Sequence, residues 1–155
     1  MVDQAVNNSS DNPFNSAFDN TFKAPRKSLG QNFLQDPNII RKIINALGIR
    51  EGDSVLEIGP GRGALTELLL ESGCTLHLVE FDRDLVKYWQ SRAEQYPQLT
   101  VHAGDILDFD FAQLELDAGQ KIKIVGNLPY NISSPILILL LEYTHLIERL
   151  VIMLQ

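Results

Sequence analysis

Lys121-Ile122-Lys123-Ile124-Val125-Gly126-Asn127-Leu128-Pro129-Tyr130-Asn131-Ile132-Ser133-Ser134-Pro135, followed by the apolar run Ile136-Leu137-Ile138-Leu139-Leu140-Leu141, is the stretch that decides the fold. Residues 121–126 read as a strand and 136–141 as a helix, so Asn127–Tyr130 falls at the carboxyl end of a strand. Open α/β sheets place their ligand crevice there. Pro129 and Pro135 stiffen the connection. The Asn127 side-chain oxygen and the Leu128 carbonyl can accept the two hydrogens of an exocyclic amine. The Tyr130 ring can stack on the face of a flat base.

Upstream, the same strand–loop–helix grammar repeats. Ser54-Val55-Leu56-Glu57-Ile58 reads as a strand that runs into Gly59-Pro60-Gly61-Arg62-Gly63 and a helix over residues 64–71. Glycines there let the backbone turn tightly and approach a ligand. The spacing is Gly-x-Gly-x-Gly, not the Gly-x-Gly-x-x-Gly of dinucleotide folds. Thr75–Val79 is the second strand, and Glu80 at its end lies 21 residues after Gly59. An acid at about that distance can take both hydroxyls of a ribose. Asp82 and Asp84 read as caps of a helix over 83–96, in which Trp89 sits at core spacing. Leu99–Ala103 is the third strand, with His102 structural. It leads into Gly104-Asp105-Ile106, where Asp105 can accept from an adenine amine and the Ile106 backbone can meet the ring edge. Asp108 and Asp110 read as loop acids. Residues 149–154 read as a fifth strand.

Alternating strands and helices imply a parallel sheet with right-handed crossovers. Gly59 and Gly61, Glu80, Asp105 and Asn127 then end four strands on one edge, which points to a nucleoside-cofactor crevice. The acids in it suit a cationic sulfonium donor without phosphates, and on charge grounds this favours S-adenosylmethionine.

Before the sheet, Asp36-Pro37 opens a helix as N-cap and first helical residue. Ile39, Ile40, Ile43, Ile44 and Leu47 recur at helical spacing, and Gly48 stops it. Residues 1–22 are rich in Asn, Ser and Asp and read as a disordered tail. Residues 23–50 form a basic segment with six Lys or Arg against Asp36. Residues 51–155 carry the sheet, with seven basic and sixteen acidic residues. The overall charge of −7 argues against non-specific nucleic-acid binding by the whole chain. The basic segment is compatible with phosphate contacts on one side. A single cysteine, Cys74, suits a reducing compartment. No secretory signal is read at the start, and the longest apolar run near the end is far shorter than the roughly 20 residues of a membrane span. The expected location is the cytoplasm, away from membranes.

Taken together, Lys-x-x-Gly-Gln-Asn-Phe-Leu at 27–34, Val-Leu-Glu-Ile-Gly-Pro-Gly-x-Gly at 55–63, Glu80, Gly-Asp at 104–105 and Asn-Leu-Pro-Tyr-Asn-Ile-Ser-Ser-Pro at 127–135 resemble the small-subunit (16S) rRNA adenine-N6,N6-dimethyltransferases. The resemblance runs from about Lys27 to Gln155. It implies a Rossmann-like, class I S-adenosylmethionine-dependent methyltransferase sheet of α/β class. It implies cofactor contacts from Asn32, Leu34, Gly59, Glu80, Asp105 and Asn127. It also implies a substrate of two adjacent adenosines near the 3′ end of small-subunit rRNA, a role in ribosome biogenesis, and a monomer at full length. No metal is implied. Such proteins continue with two more strands and a small helical domain, so residues 51–155 are read as a partial methyltransferase domain truncated after the fifth strand. Three rivals stand beside this reading. One is a methyltransferase of large-subunit rRNA adenine. The second is a nicotinamide-dependent oxidoreductase on a related sheet, against which the glycine spacing argues. The third is a non-catalytic RNA-binding module for ribosome assembly, against which the intact Asn127–Tyr130 and Glu80 argue.

Overall fold

The computed structural model describes residues 34–154. The tail over 1–22, the first part of the basic segment and Asn32 lie outside the described residues. The described chain starts with helix α1 (Pro37–Leu47). Asp36 caps it by accepting the Asn38 N–H at 2.8 Å, and Gly48 ends it in the left-handed conformation. Strand β1 (Ser54–Ile58), helix α2 (Thr66–Glu71), strand β2 (Thr75–Glu80), helix α3 (Arg83–Ala93) and strand β3 (Leu99–Ala103) follow. Two short 3-10 turns, Ile106–Asp108 and Phe111–Leu114, lead to strand β4 (Ile122–Leu128), helix α4 (Ser133–Glu142) and strand β5 (Ile147–Leu154).

The five strands form one parallel sheet in the order β3-β2-β1-β4-β5. Every residue of β1 is buried, as are all but one in each of β2 and β4. That burial on both faces is why these strands read as near-continuous apolar runs. On one face Leu47, Leu69, Leu76, Leu78, Trp89 and Val125 form a core under α1, α2 and α3. On the other, Leu56, Ile58, Val79, Phe111, Ile124 and Ile136 pack under the 3-10 turns and α4.

Five sequence expectations shift, the simplest being that the fifth strand begins at Ile147 rather than at residue 149. The helix after the glycines begins at Thr66 rather than at residue 64, because the chain is still turning at Gly63, whose φ is +86°. The helix over 83–96 ends at Ala93, and the backbone turns through Glu94 and Gln95 before Pro97. The fourth strand runs on through Leu128, so Asn127 and Leu128 are its last two residues rather than loop. The largest change concerns α4, whose nearly all-apolar sequence suggests a fully buried helix. Only Ile136 and Leu140 are buried, while Ile138 is 63% and Leu141 68% exposed. A helix laid on a sheet buries one stripe, and among the described residues nothing packs on the outer side of α4.

Lys123 lies inside this frame, only 3% exposed. Its Nζ reaches the Gly48 carbonyl at 2.7 Å, Asp53 at 2.5 Å and Glu148 at 3.6 Å. It thereby ties the end of α1 to the entries of β1 and β5.

Candidate active site

Register fixes the site. Ile58 pairs with Val79 and with Gly126, and Glu80 pairs with Ala103. The residues just past those pairs are Gly59, Glu80, Gly104 and Asn127, so they stand level along one edge of the sheet. The Gly59 N–H donates to the Val79 carbonyl and the Gly104 N–H to the Glu80 carbonyl, both at 2.9 Å, which continues the ladder to that edge. A cavity of about 260 Å³ opens there.

Leu34, Gly59, Gly61, Glu80, Asp105, Ile106 and Asn127 all line it, as do Leu128 and Pro129. Tyr130 does not. It stands 75% exposed between two lining neighbours, Pro129 and Asn131. Gly59 has φ +65°, and a Cβ there would meet nothing within 4 Å, so the first turn presents bare backbone to the cavity.

Glu80 is 6% exposed. Its Oε2 accepts the Gly61 N–H at 3.3 Å and its Oε1 the Asp82 N–H at 2.9 Å. Burial pushes its carboxyl above the usual range, while these backbone donors and that of Phe81 pull it back down. Asp82 caps α3 by accepting from Asp84 and Leu85, as its position suggests, and it also borders the cavity. Asp105 caps the first 3-10 turn, its Oδ1 accepting the Leu107 N–H at 3.0 Å. Asp110 caps the second turn, a role beyond that of a loop acid.

Glu57, Arg62, Phe81 and Asn131 also line the wall and were given no role by sequence. Glu57 is the most unusual of them. It is 2% exposed within β1 and accepts a hydrogen bond from the Thr66 hydroxyl at 2.7 Å. Burial pushes its carboxyl up to about 8, the Thr66 bond opposes this, and the charges of Glu80 and Glu67 reinforce it. Its one signal in the sequence is an acid inside an otherwise apolar strand directly before a glycine turn. Trp89 is fully buried, as expected of a core residue. His102 stacks on His77, with ring centroids 5.4 Å apart, and is structural as expected. Among the described residues no group of three or more His, Cys, Asp or Glu is placed to hold a metal, and no helix is long and apolar enough to cross a membrane.

The arrangement can receive a nucleoside. Acceptors stand at the ends of β2, β3 and β4, and a glycine turn exposes its backbone beside them. Known proteins resemble this chain in sequence and in fold. The ribosomal RNA small subunit methyltransferase A of Pseudomonas aeruginosa is 48% identical over 130 residues, which cover 84% of this chain and 48% of the relative. The protein of the same name from Aromatoleum aromaticum is 51% identical over 130 residues, covering 84% of this chain and 47% of its own. The chain thus spans about half the length of the curated relatives it matches. Among solved structures, a dimethyladenosine transferase from Plasmodium falciparum aligns with a TM-score of 0.67 at 32% identity, over 80% of this chain and 43% of that one. The shared architecture is the Rossmann-like parallel sheet that the sequence implies. The ribosomal RNA adenine dimethylase model matches residues 22–155, and the chain belongs to that family.

Proposed function

We propose that the protein takes part in S-adenosylmethionine-dependent N6-dimethylation of two adjacent adenosines near the 3′ end of small-subunit rRNA. The single observation that carries this reading is the convergence of Gly59, Glu80, Asp105 and Asn127 on one cavity. The residues fit a cationic nucleoside. Glu80 and Asp82 are buried carboxyls at 6% and 8% exposure, and with Asp105 they outnumber Arg62, the one cation in the wall among the described residues. Glu80 would take the ribose hydroxyls, Asp105 and the Ile106 backbone the adenine edge, and Gly59 and Gly61 the amino-acid end. Leu34 would close one side, and Asn32, outside the described residues, is assigned there by resemblance.

S-adenosylmethionine, when bound, supplies a sulfonium methyl as electrophile. The protein's task is to present the amine to it. An adenine amine is a poor nucleophile because its lone pair delocalises into the ring. Hydrogen bonds from its two N–H groups to the Asn127 oxygen and the Leu128 carbonyl favour the pyramidal, nucleophilic form as positive charge develops. Pro129 fixes the direction of that carbonyl. Tyr130, exposed ahead of the cavity, would stack on the base once it leaves its helix. The proton released by the amine passes to water.

The assigned partner is the small ribosomal subunit through its rRNA, which puts the protein in the cytoplasm, and we assign a monomer at full length. The test is methyl transfer by the full-length protein to unmethylated small and large ribosomal subunits, with digestion and mass spectrometry of the RNA. Dimethyladenosine at two neighbouring positions of the small-subunit RNA supports the proposal. Methylation of the large-subunit RNA alone would establish the rival substrate, and no methylation of either would leave the non-catalytic RNA-binding reading.

A further inference from the structure

Trp89 is on α3, two turns past the residue that caps it, and it is fully buried. Its indole reaches the glycine turn by two routes. The Nε1–H donates to the Gly61 carbonyl at 3.0 Å. The six-membered ring lies so close to Gly63 that a Cβ there would sit 2.5 Å from Cη2. A side chain at 63 would therefore have to displace an enclosed ring, at a φ of +86° that only glycine takes without strain. Gly61 is held through its preceding peptide as well, its N–H donating to Glu80 Oε2 at 3.3 Å. Glu80 Oε1 accepts from Asp82 at 2.9 Å, and Asp82 Oδ1 accepts from Asp84 and Leu85 at the start of α3. The links close a ring that runs from Trp89 to Gly61, Glu80, Asp82 and back through α3. Glu80 and the glycine turn come from neighbouring strands whose ladder ends at the Gly59 N–H to Val79 carbonyl bond, and this ring carries the hold beyond that point to Gly61.

We propose that Trp89 is a positioning residue of the cofactor cavity: by gripping the Gly61 carbonyl and packing on Gly63, it sets the glycine turn against Glu80. The inference rests on the reading of this cavity as a nucleoside-cofactor site. A buried Trp usually finds some partner for its N–H. The positioning role differs from that general habit because the partner here is the carbonyl of a residue whose own N–H holds the Glu80 carboxylate.

The test uses S-adenosylhomocysteine as the probe and the 155-residue chain. Trp89 is the single tryptophan, so the indole emission reports on this side chain alone. Titration should change the emission with the same midpoint as calorimetry. Trp89→Phe should weaken binding about tenfold, the loss of one well-placed hydrogen bond with its packing. Leu47→Ala, in the same core but outside the cavity wall, should leave affinity unchanged at a matched loss of melting temperature. If affinity follows melting temperature equally in both variants, Trp89 is only core and the proposal is overturned. Calorimetric binding with unchanged emission overturns it too, and this measurement needs no variant to fold. A folded wild-type chain that binds no probe by calorimetry overturns the cofactor reading itself, and this role with it.

Discussion

The Thr66 hydroxyl donates a 2.7 Å hydrogen bond to Glu57 Oε2, joining the end of β1 to the first residue of α2 across the glycine turn. Both groups are buried, and burial pushes Glu57 up to about 8.

That carboxyl therefore binds its proton more tightly in the folded chain than at its ordinary value of 4.5. The stabilisation is fully present below pH 4.5 and is lost as pH rises through about 8. Glu57→Gln keeps an acceptor for Thr66 and removes the titration. A tenfold change in proton affinity corresponds to about 1.4 kcal/mol, so the variant should gain a few kcal/mol over wild type above the folded value. Urea unfolding at pH 5 and pH 9 checks it. The glutamine variant should be the more stable one at the higher pH, and an equal pH dependence in both proteins would contradict the assignment.

A second titration works in the opposite direction. His77 Nδ1 lies 3.1 Å from His102 Nε2, and burial first, then the neighbouring His102, lowers His77 to about 4. A neutral imidazole held in the fold stabilises above its ordinary value of 6.5, and this is lost as pH falls towards 4. His77→Gln should flatten the acid limb of melting temperature between those limits. A variant as acid-sensitive as the wild type would show that other groups govern acid unfolding.

Lys123 is nearly enclosed, and its partner Asp53 keeps 23% of its side-chain surface exposed. Removing the cation takes its donor from the Gly48 carbonyl and from a partly solvated carboxylate that still accepts the Arg50 N–H. Lys123→Ala should cost roughly 2–3 kcal/mol, below the full penalty for breaking a buried pair because water can reach Asp53. Lys123→Met, which keeps the stem, should cost less. Denaturant titration of the three proteins gives the order, and an alanine variant within about 0.5 kcal/mol of wild type would refute it.

Asn127 is the residue on which the proposed chemistry leans most. In the full-length protein Asn127→Ala should lower kcat by roughly 100- to 1,000-fold, as removal of a preorganised polar contact does elsewhere. Affinity for S-adenosylhomocysteine should fall far less than turnover. Wild-type turnover in single-cycle methylation would remove Asn127 from the reaction.

Much of the fold was legible because its signals are local. Asp36, Pro37 and Gly48 bracket α1 within a dozen residues, and Asp82 announces α3 by its own capping geometry. Strand ends were legible too, and alternation was enough to expect them on one edge. The cavity residues Gly59, Glu80, Asp105 and Asn127 therefore followed from order along the chain.

Sequence by itself determined the parallel sheet and the edge on which the cavity opens, since periodicity, caps and glycine spacing act over a few residues, and its combined motifs carried the resemblance to the family. Tertiary structure alone decided how groups distant in the chain share space. Glu57 looked like one more strand residue until the turn brought Thr66 back over it. Lys123 found Asp53 across 70 residues of chain and the Gly48 carbonyl across 75. Trp89 reached Gly61 from 28 residues away. A nearly all-apolar helix gave no sign of which side would meet the sheet, since only packing separates Ile136 and Leu140 from the exposed Ile138 and Leu141. Burial, and with it the protonation of an acid or the grip of an indole on a loop, belongs to the assembled neighbourhood, and no window of sequence contains that neighbourhood.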